Sequence, residues 1–259
     1  MRAVIRILAI LCCLTNMAPA SNAQTPVSIE LVLAVDTSLS VNNEEFDLQM
    51  RGIANAFRSA EIVNLIGLYD GVAVTLIQWG GWTSEKNTVP WRLLKSEASI
   101  LAFADEVQRT KRENVGYFTA IGTAVTASIK SLLENRFAGR LLKIDVSGDG
   151  INNAGPRPIS VRSVAEELGI SINGLAVRTD IESLDDYFRR ELIAGPGAFV
   201  ISARNYGDFG RAMQKKLKRE LAVPISWRGE MLRKSSRGPL QAVLRQSFRL
   251  SPRSDGPPY

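Results

Sequence analysis

The stretch Asp36-Thr37-Ser38-Leu39-Ser40 places one carboxylate and two hydroxyls on alternate residues. A tight loop with that spacing can turn all three toward one point, and they are the hard oxygen ligands that magnesium prefers. The same residues also read as the start of a helix, with Ser40 or Asn42 capping the backbone amides of the next segment. Two further stretches carry matching chemistry. Thr119 stands in Gly116-Tyr117-Phe118-Thr119-Ala120-Ile121-Gly122, where a helix should begin, and Asp149 stands in Asp145-Val146-Ser147-Gly148-Asp149-Gly150, where a strand should end.

Composition narrows what these groups can do. The chain has no histidine, and its two cysteines are Cys12 and Cys13. A Ser-His-Asp or Cys-His nucleophile system cannot be assembled, nor a zinc site that depends on imidazole or thiolate. Any metal must be held by oxygen, which favours Mg2+, with Mn2+ or Ca2+ as substitutes. A phosphotransfer enzyme of the haloacid dehalogenase type would use Asp36 as nucleophile, but it needs a second acid two residues on, where Ser38 stands. No Gly-x-Gly-x-x-Gly follows the first apolar run, and no phosphate loop ending in Gly-Lys-Ser/Thr is present.

The elements that must position these residues follow from periodicity. Apolar runs of strand length at 29–35, 71–79, 141–146, 171–177 and 198–203 alternate with amphipathic stretches at 42–60, 96–109, 119–135, 160–168, 184–192 and 206–221. This alternation predicts an α/β fold with a mostly parallel sheet and helices on both faces. Residues 88–94 are expected to return antiparallel at the sheet edge, where Pro90 is tolerated. In such sheets ligands sit at the carboxyl ends of strands, beside the point where strand order reverses. Asp36 and Asp149 both follow predicted strands.

The order Asp-x-Ser-x-Ser, then Thr, then Asp-Gly, each at a strand or helix end, resembles the metal-ion-dependent adhesion site (MIDAS) of von Willebrand factor A (vWA) domains. The resemblance runs from about Val27 to Val223. It is closest to a bacterial exported group of vWA-like domains of unknown function, on the stretches 33–38, 119–122, 144–153 and 195–200. It implies a doubly wound, six-stranded vWA-like sheet and a binding module, not an enzyme. It further implies that Ser38 and Ser40 hold the metal directly, Thr119 directly or through water, and Asp36 and Asp149 mainly through bridging waters. The remaining coordination position is left for an acidic side chain of a protein partner. Tyr117 and Phe118 depart from the pattern, because many relatives have glycines there. Asp145 is expected to be a buried group in the strand behind the site. A vWA-like scaffold that binds partners without metal is the alternative.

The flanks are read separately. Residues 1–23, with Arg2, Arg6, an apolar run from Ile7 to Leu14 and Ala-x-Ala-like small residues up to Ala23, predict a cleaved signal peptide. Export to the periplasm or exterior of a Gram-negative bacterium is therefore expected, with the vWA-like domain at 24–223. The remainder, 224–259, is expected to be a basic tail making weak contact with a membrane or acidic surface. Residues 1–23 and 228–259 hold nine of the 32 basic side chains and two of the 26 acidic ones, leaving 23 against 24 between them. That balance predicts no nucleic-acid partner. Trp79 is expected in the core and Trp82 either in the core or on the rim beside the metal, while Asn152 and Asn153 are expected to shape their loop first and touch ligand second.

Overall fold

The first apolar run becomes β1 (Thr25–Asp36), buried continuously from Val27 to its end, as a central strand covered on both faces should be. The structure, a computed structural model, describes residues 24–81, 88–113 and 116–222. The expected signal peptide, the basic tail and Trp82 lie outside the described residues.

After β1 the chain runs through α1 (Asn43–Arg58), α2 (Ala60–Ile66), β2 (Val72–Trp79), β3 (Val89–Leu94), α3 (Glu97–Gln108), α4 (Ile121–Leu133), β4 (Phe137–Gly148), α5 (Pro158–Glu167), β5 (Ile170–Val177), α6 (Leu184–Glu191), β6 (Val200–Ala203) and α7 (Phe209–Leu221). The six strands form one sheet in the order β3-β2-β1-β4-β5-β6. All neighbours are parallel except β2 and β3, so the edge strand is antiparallel as its sequence predicts.

Alternation along β1 divides the core. Leu31, Leu33 and Val35 pack with α1, α3 and α7 on one face, while Val32 and Ala34 pack with α4, α5 and α6 on the other. From β1 the chain first builds outward through β2 and β3, then returns to place β4 on the opposite side. The strand order therefore reverses between β1 and β4, and their carboxyl ends open a crevice there. The register pairs Val35 with Ser147, which brings Asp36 alongside Gly148.

Several boundaries differ from the sequence reading, β1 among them, which starts at Thr25 instead of Ile29. The helix expected over 42–60 breaks at Ser59 and resumes as α2, because Ser59 is extended (ψ 136°) and its hydroxyl caps the new helix at the Ile62 amide. β4 starts at Phe137 instead of Leu141, since residues 137–139 pair with 25–27 of β1 despite the unhelpful Gly139. The helix expected from Thr119 begins at Ile121, leaving Thr119 in the preceding loop.

Candidate metal centre

Asp36 ends β1 fully buried, and the chain beyond it is fixed by backbone and side chain alike. The Thr37 amide donates to the Trp79 carbonyl (2.8 Å), tying the loop to the end of β2. Gln49, buried in α1, donates to the Asp36 carbonyl (3.0 Å). From the opposite side Arg112 Nη2 donates to the carbonyls of Thr37 (3.0 Å) and Ser38 (3.1 Å). Asn42, not Ser40, caps α1, in a reciprocal pair with Glu45. Of the two capping candidates, Asn42 is therefore the one used, and Ser40 turns its hydroxyl elsewhere.

Within this frame the hydroxyls and carboxylates form a connected set. The Ser38 amide donates to Asp36 Oδ1 (2.8 Å). Ser38 Oγ and Ser40 Oγ lie 3.2 Å apart, and the Ser40 hydroxyl donates to Asp149 Oδ1 (2.8 Å). Gly148 and Gly150 keep the space around them open. A Cβ at Gly148 would stand 2.8 Å from Asp36 Oδ2, and one at Gly150 would stand 3.3 Å from Thr119 Oγ1. All five candidates, Asp36, Ser38, Ser40, Thr119 and Asp149, therefore meet at the crevice between β1 and β4.

Thr119 is held there by the loop after β4. Its amide donates to Asn153 Oδ1 (2.8 Å), and its carbonyl accepts from the Asn153 amide (2.9 Å). Asn152 Oδ1 accepts from the Gly122 amide (3.2 Å), so the two asparagines shape the loop as expected. Gly122 is required for that approach, since a side chain there would run into the Pro156 carbonyl oxygen.

The electrostatics fit a cation. Burial, followed by the neighbouring charge of Asp149, pushes Asp36 up to about 7. Burial also raises Asp149, against the hydrogen bond from Ser40. Two buried carboxylates are costly to ionise side by side unless a positive charge stands with them. Asp36 Oδ2 has no hydrogen-bond partner although it is buried, and a buried carboxylate oxygen calls for an ion or water to satisfy it. Among the described residues no three His, Cys, Asp or Glu side chains cluster. The donor set is two carboxylates and three hydroxyls, which suits a hard divalent ion.

The structure places other candidates away from this point. Asp145 is buried, but its carboxylate pairs with Lys216 of α7, so it serves the packing of that helix. Trp79 is fully buried against the second core face, as expected. Two residues that sequence reasoning missed also belong here. Arg112 lies in a polar stretch with no pattern of its own. Tyr206, in the 3-10 turn before α7, is buried with its hydroxyl facing Asp149, although it makes no hydrogen bond of normal geometry there.

Comparison with known proteins agrees with this architecture. The family described as "Protein of unknown function (DUF1194)" matches residues 26–225. No curated protein matches. Among solved structures, proximal thread matrix protein 1 from the mussel byssus is similar with a TM-score of 0.59 at 16% identity, over 75% of this chain and 47% of that one. A second structure of it, with a zinc-occupied MIDAS motif, gives 0.57 at 18% identity, over 76% and 48%. The von Willebrand factor domain of the type V pili tip protein Mfa5 from Porphyromonas gingivalis gives 0.52 at 7%, over 76% and 97%. The chain spans about half the length of the mussel protein, and at such identities the likeness concerns the fold. Sheet order, edge strand and these neighbours together establish a vWA-like fold, and the chain belongs to the DUF1194 family.

Proposed function

We propose that Asp36, Ser38, Ser40, Thr119 and Asp149 hold a Mg2+-type divalent cation, and that the protein is an exported binding module which captures an acidic side chain of a protein partner through that ion. The observation that carries this reading is the buried, unpartnered Asp36 Oδ2, on a carboxyl group that accepts from the Ser38 amide, next to a run of side-chain contacts from Ser38 through Ser40 to Asp149. Hydroxyl ligands leave the ion more of its charge than carboxylates would, so an incoming carboxylate gains more on binding. The absence of histidine argues against general base catalysis of the usual kind, and Ser38 occupies the place where a phosphotransferase needs its acid.

Mn2+ and Ca2+ fit the same oxygen set. Export rests on the character of residues 1–23, and a surface-contact role for the tail rests on its seven basic residues. Among the described residues no helix is long and apolar enough to cross a membrane.

A metal-free scaffold is the second reading, favoured by the Ser40–Asp149 hydrogen bond, which already uses two of the proposed ligands. Titration calorimetry with Mg2+ and Mn2+ separates the two. Saturable heat in the wild type that is lost in Ser38→Ala/Ser40→Ala supports the metal site. Absence of heat in a folded wild type supports the scaffold.

A further inference from the structure

The residues interleaved with the site are apolar, and they are turned outward. Leu39, between Ser38 and Ser40, is 66% exposed; Tyr117 and Phe118, just before Thr119, are 68% and 56% exposed; Ile151, two residues after Asp149, is 46% exposed. These are four of the six large hydrophobic side chains that stand exposed among the described residues. Single exposed apolar residues are ordinary, whereas a group gathered at one place marks an interaction surface.

Local structure explains why they face out. In the loop after β1 the chain turns, with the Val41 amide donating to the Ser38 carbonyl (3.1 Å), and the turn leaves Ser38 buried and Leu39 exposed. On either side of Thr119, the Ala120 amide donates to the Gly80 carbonyl (3.0 Å), and Phe118 lies over Gly81, where a Cβ would stand 3.5 Å from its ring. Ile151 is carried by the loop that Asn152 and Asn153 fasten to Thr119 and α4. Three separate loops therefore surround one polar centre with apolar shoulders.

We infer that Leu39, Tyr117, Phe118 and Ile151 form a collar that reads the residues flanking the partner's acidic group, so that the partner is a protein segment whose Asp or Glu stands between bulky aliphatic or aromatic side chains. The inference rests on the metal reading above and adds to it the chemistry of the neighbouring positions. Charge decides the centre and area decides the rim. A cation there accepts a carboxylate, and the collar removes water from around that contact, which strengthens it and rewards apolar neighbours. A purely apolar occupant would leave the central ion unmatched, and an isolated acidic residue would leave the collar exposed.

The test uses three capped peptides, acetyl-Phe-Asp-Leu-amide, acetyl-Gly-Asp-Gly-amide and acetyl-Phe-Gly-Leu-amide, titrated into the full chain after its Mg2+ affinity has been measured. Peptide with both features is expected to bind at least 10-fold tighter than either of the others. In Leu39→Ser/Phe118→Ser that preference over acetyl-Gly-Asp-Gly-amide should fall below 3-fold while Mg2+ affinity is retained, which shows the variant folded. Equal binding of the two acidic peptides to the wild type overturns the inference while leaving the metal reading intact. Equal binding of acetyl-Phe-Gly-Leu-amide overturns it too, as does failure of all three to bind the Mg2+-loaded protein. A folded wild type with no Mg2+ heat counts against both readings.

Discussion

Ser40 and Asp149, 109 residues apart in the chain, are joined by a 2.8 Å hydrogen bond from the Ser40 hydroxyl to Asp149 Oδ1. It ties the loop after β1 to the loop after β4 across the crevice where strand order reverses. Ser40 is exposed, so Ser40→Ala should cost only about 1 kcal/mol of stability. Its effect on the ion should be larger, because one hydroxyl ligand and the tether are lost together. At a Mg2+ concentration 100-fold above the wild-type Kd, binding should stabilise the wild type by about 2.7 kcal/mol. Thermal unfolding with and without Mg2+ should show that increment reduced by at least half in Ser40→Ala. An unchanged increment would remove Ser40 from the ligand set.

Arg112 acts on the site without reaching the carboxylates by any hydrogen bond seen among the described residues. Its Nη2 holds the Thr37 and Ser38 carbonyls together, and so fixes the direction of the Ser38 side chain. Arg112→Met keeps the stem but deletes the fork, and should weaken Mg2+ binding roughly 3- to 10-fold, as loss of groups that orient metal ligands does. Arg112→Lys restores charge without the planar geometry and should recover little of it. Full recovery by lysine in calorimetry would show that charge alone matters.

How much of this was legible beforehand depended on the range of the signal. β1 announces itself because both its faces are buried and residues 31–35 are continuously apolar. Asp36 and Asp149 are legible because each stands at the carboxyl end of a predicted strand. The start of β4 is not, since Gly139 sits where Glu30 of β1 needs room: a Cβ there would stand 2.9 Å from Glu30 Cγ. That small residue weakens the local pattern for a reason that lies 109 positions away. Arg112 and Tyr206 escape for the same cause, because what defines them is a contact with a distant loop. Conversely Asp145, adjacent in sequence to the site stretch, faces α7, and only the strand's alternation would have revealed it.

Glu30 gives a pH dependence. It is buried in β1, and burial pushes its carboxyl from 4.5 up to about 7 against hydrogen bonds from Asn135 and the Gly139 amide. Below pH 4.5 folded and unfolded chains both carry the proton, and burial of the neutral acid is tolerated. As pH rises the unfolded chain ionises first, so stability falls until the folded carboxyl also ionises near 7, then levels off. The loss amounts to about 3 kcal/mol. Asp36 and Asp145 are shifted upward as well, to about 7 and about 6, and Asp149 also lies above its ordinary value, so the wild-type curve holds all four contributions. Urea unfolding between pH 4.5 and 8 should therefore show a shallower decline in Glu30→Gln than in the wild type. Parallel curves would mean that Glu30 does not titrate in this window.

Lys216 decides how α7 is seated. Its side chain is fully buried, paired with Asp145 of β4 and with Glu220 Oε1 at 3.2 Å. Glu220 has further partners, Lys143 at 3.3 Å and Asn173 at 2.6 Å, whereas Asp145 has no side-chain hydrogen bond to replace the lysine. Removing one member of a buried pair costs about 3–5 kcal/mol, because the other charge is left without compensation. Lys216→Met should therefore lower stability by that amount, with most of the loss arising at Asp145. Adding Asp145→Asn removes the stranded charge and should recover more than half of it in chemical denaturation, a strong coupling for residues in contact. If the two substitutions were simply additive, the ion pair would not be what holds α7 against the sheet, and the apolar contacts of Phe209, Met213 and Leu217 with the core would carry that role alone.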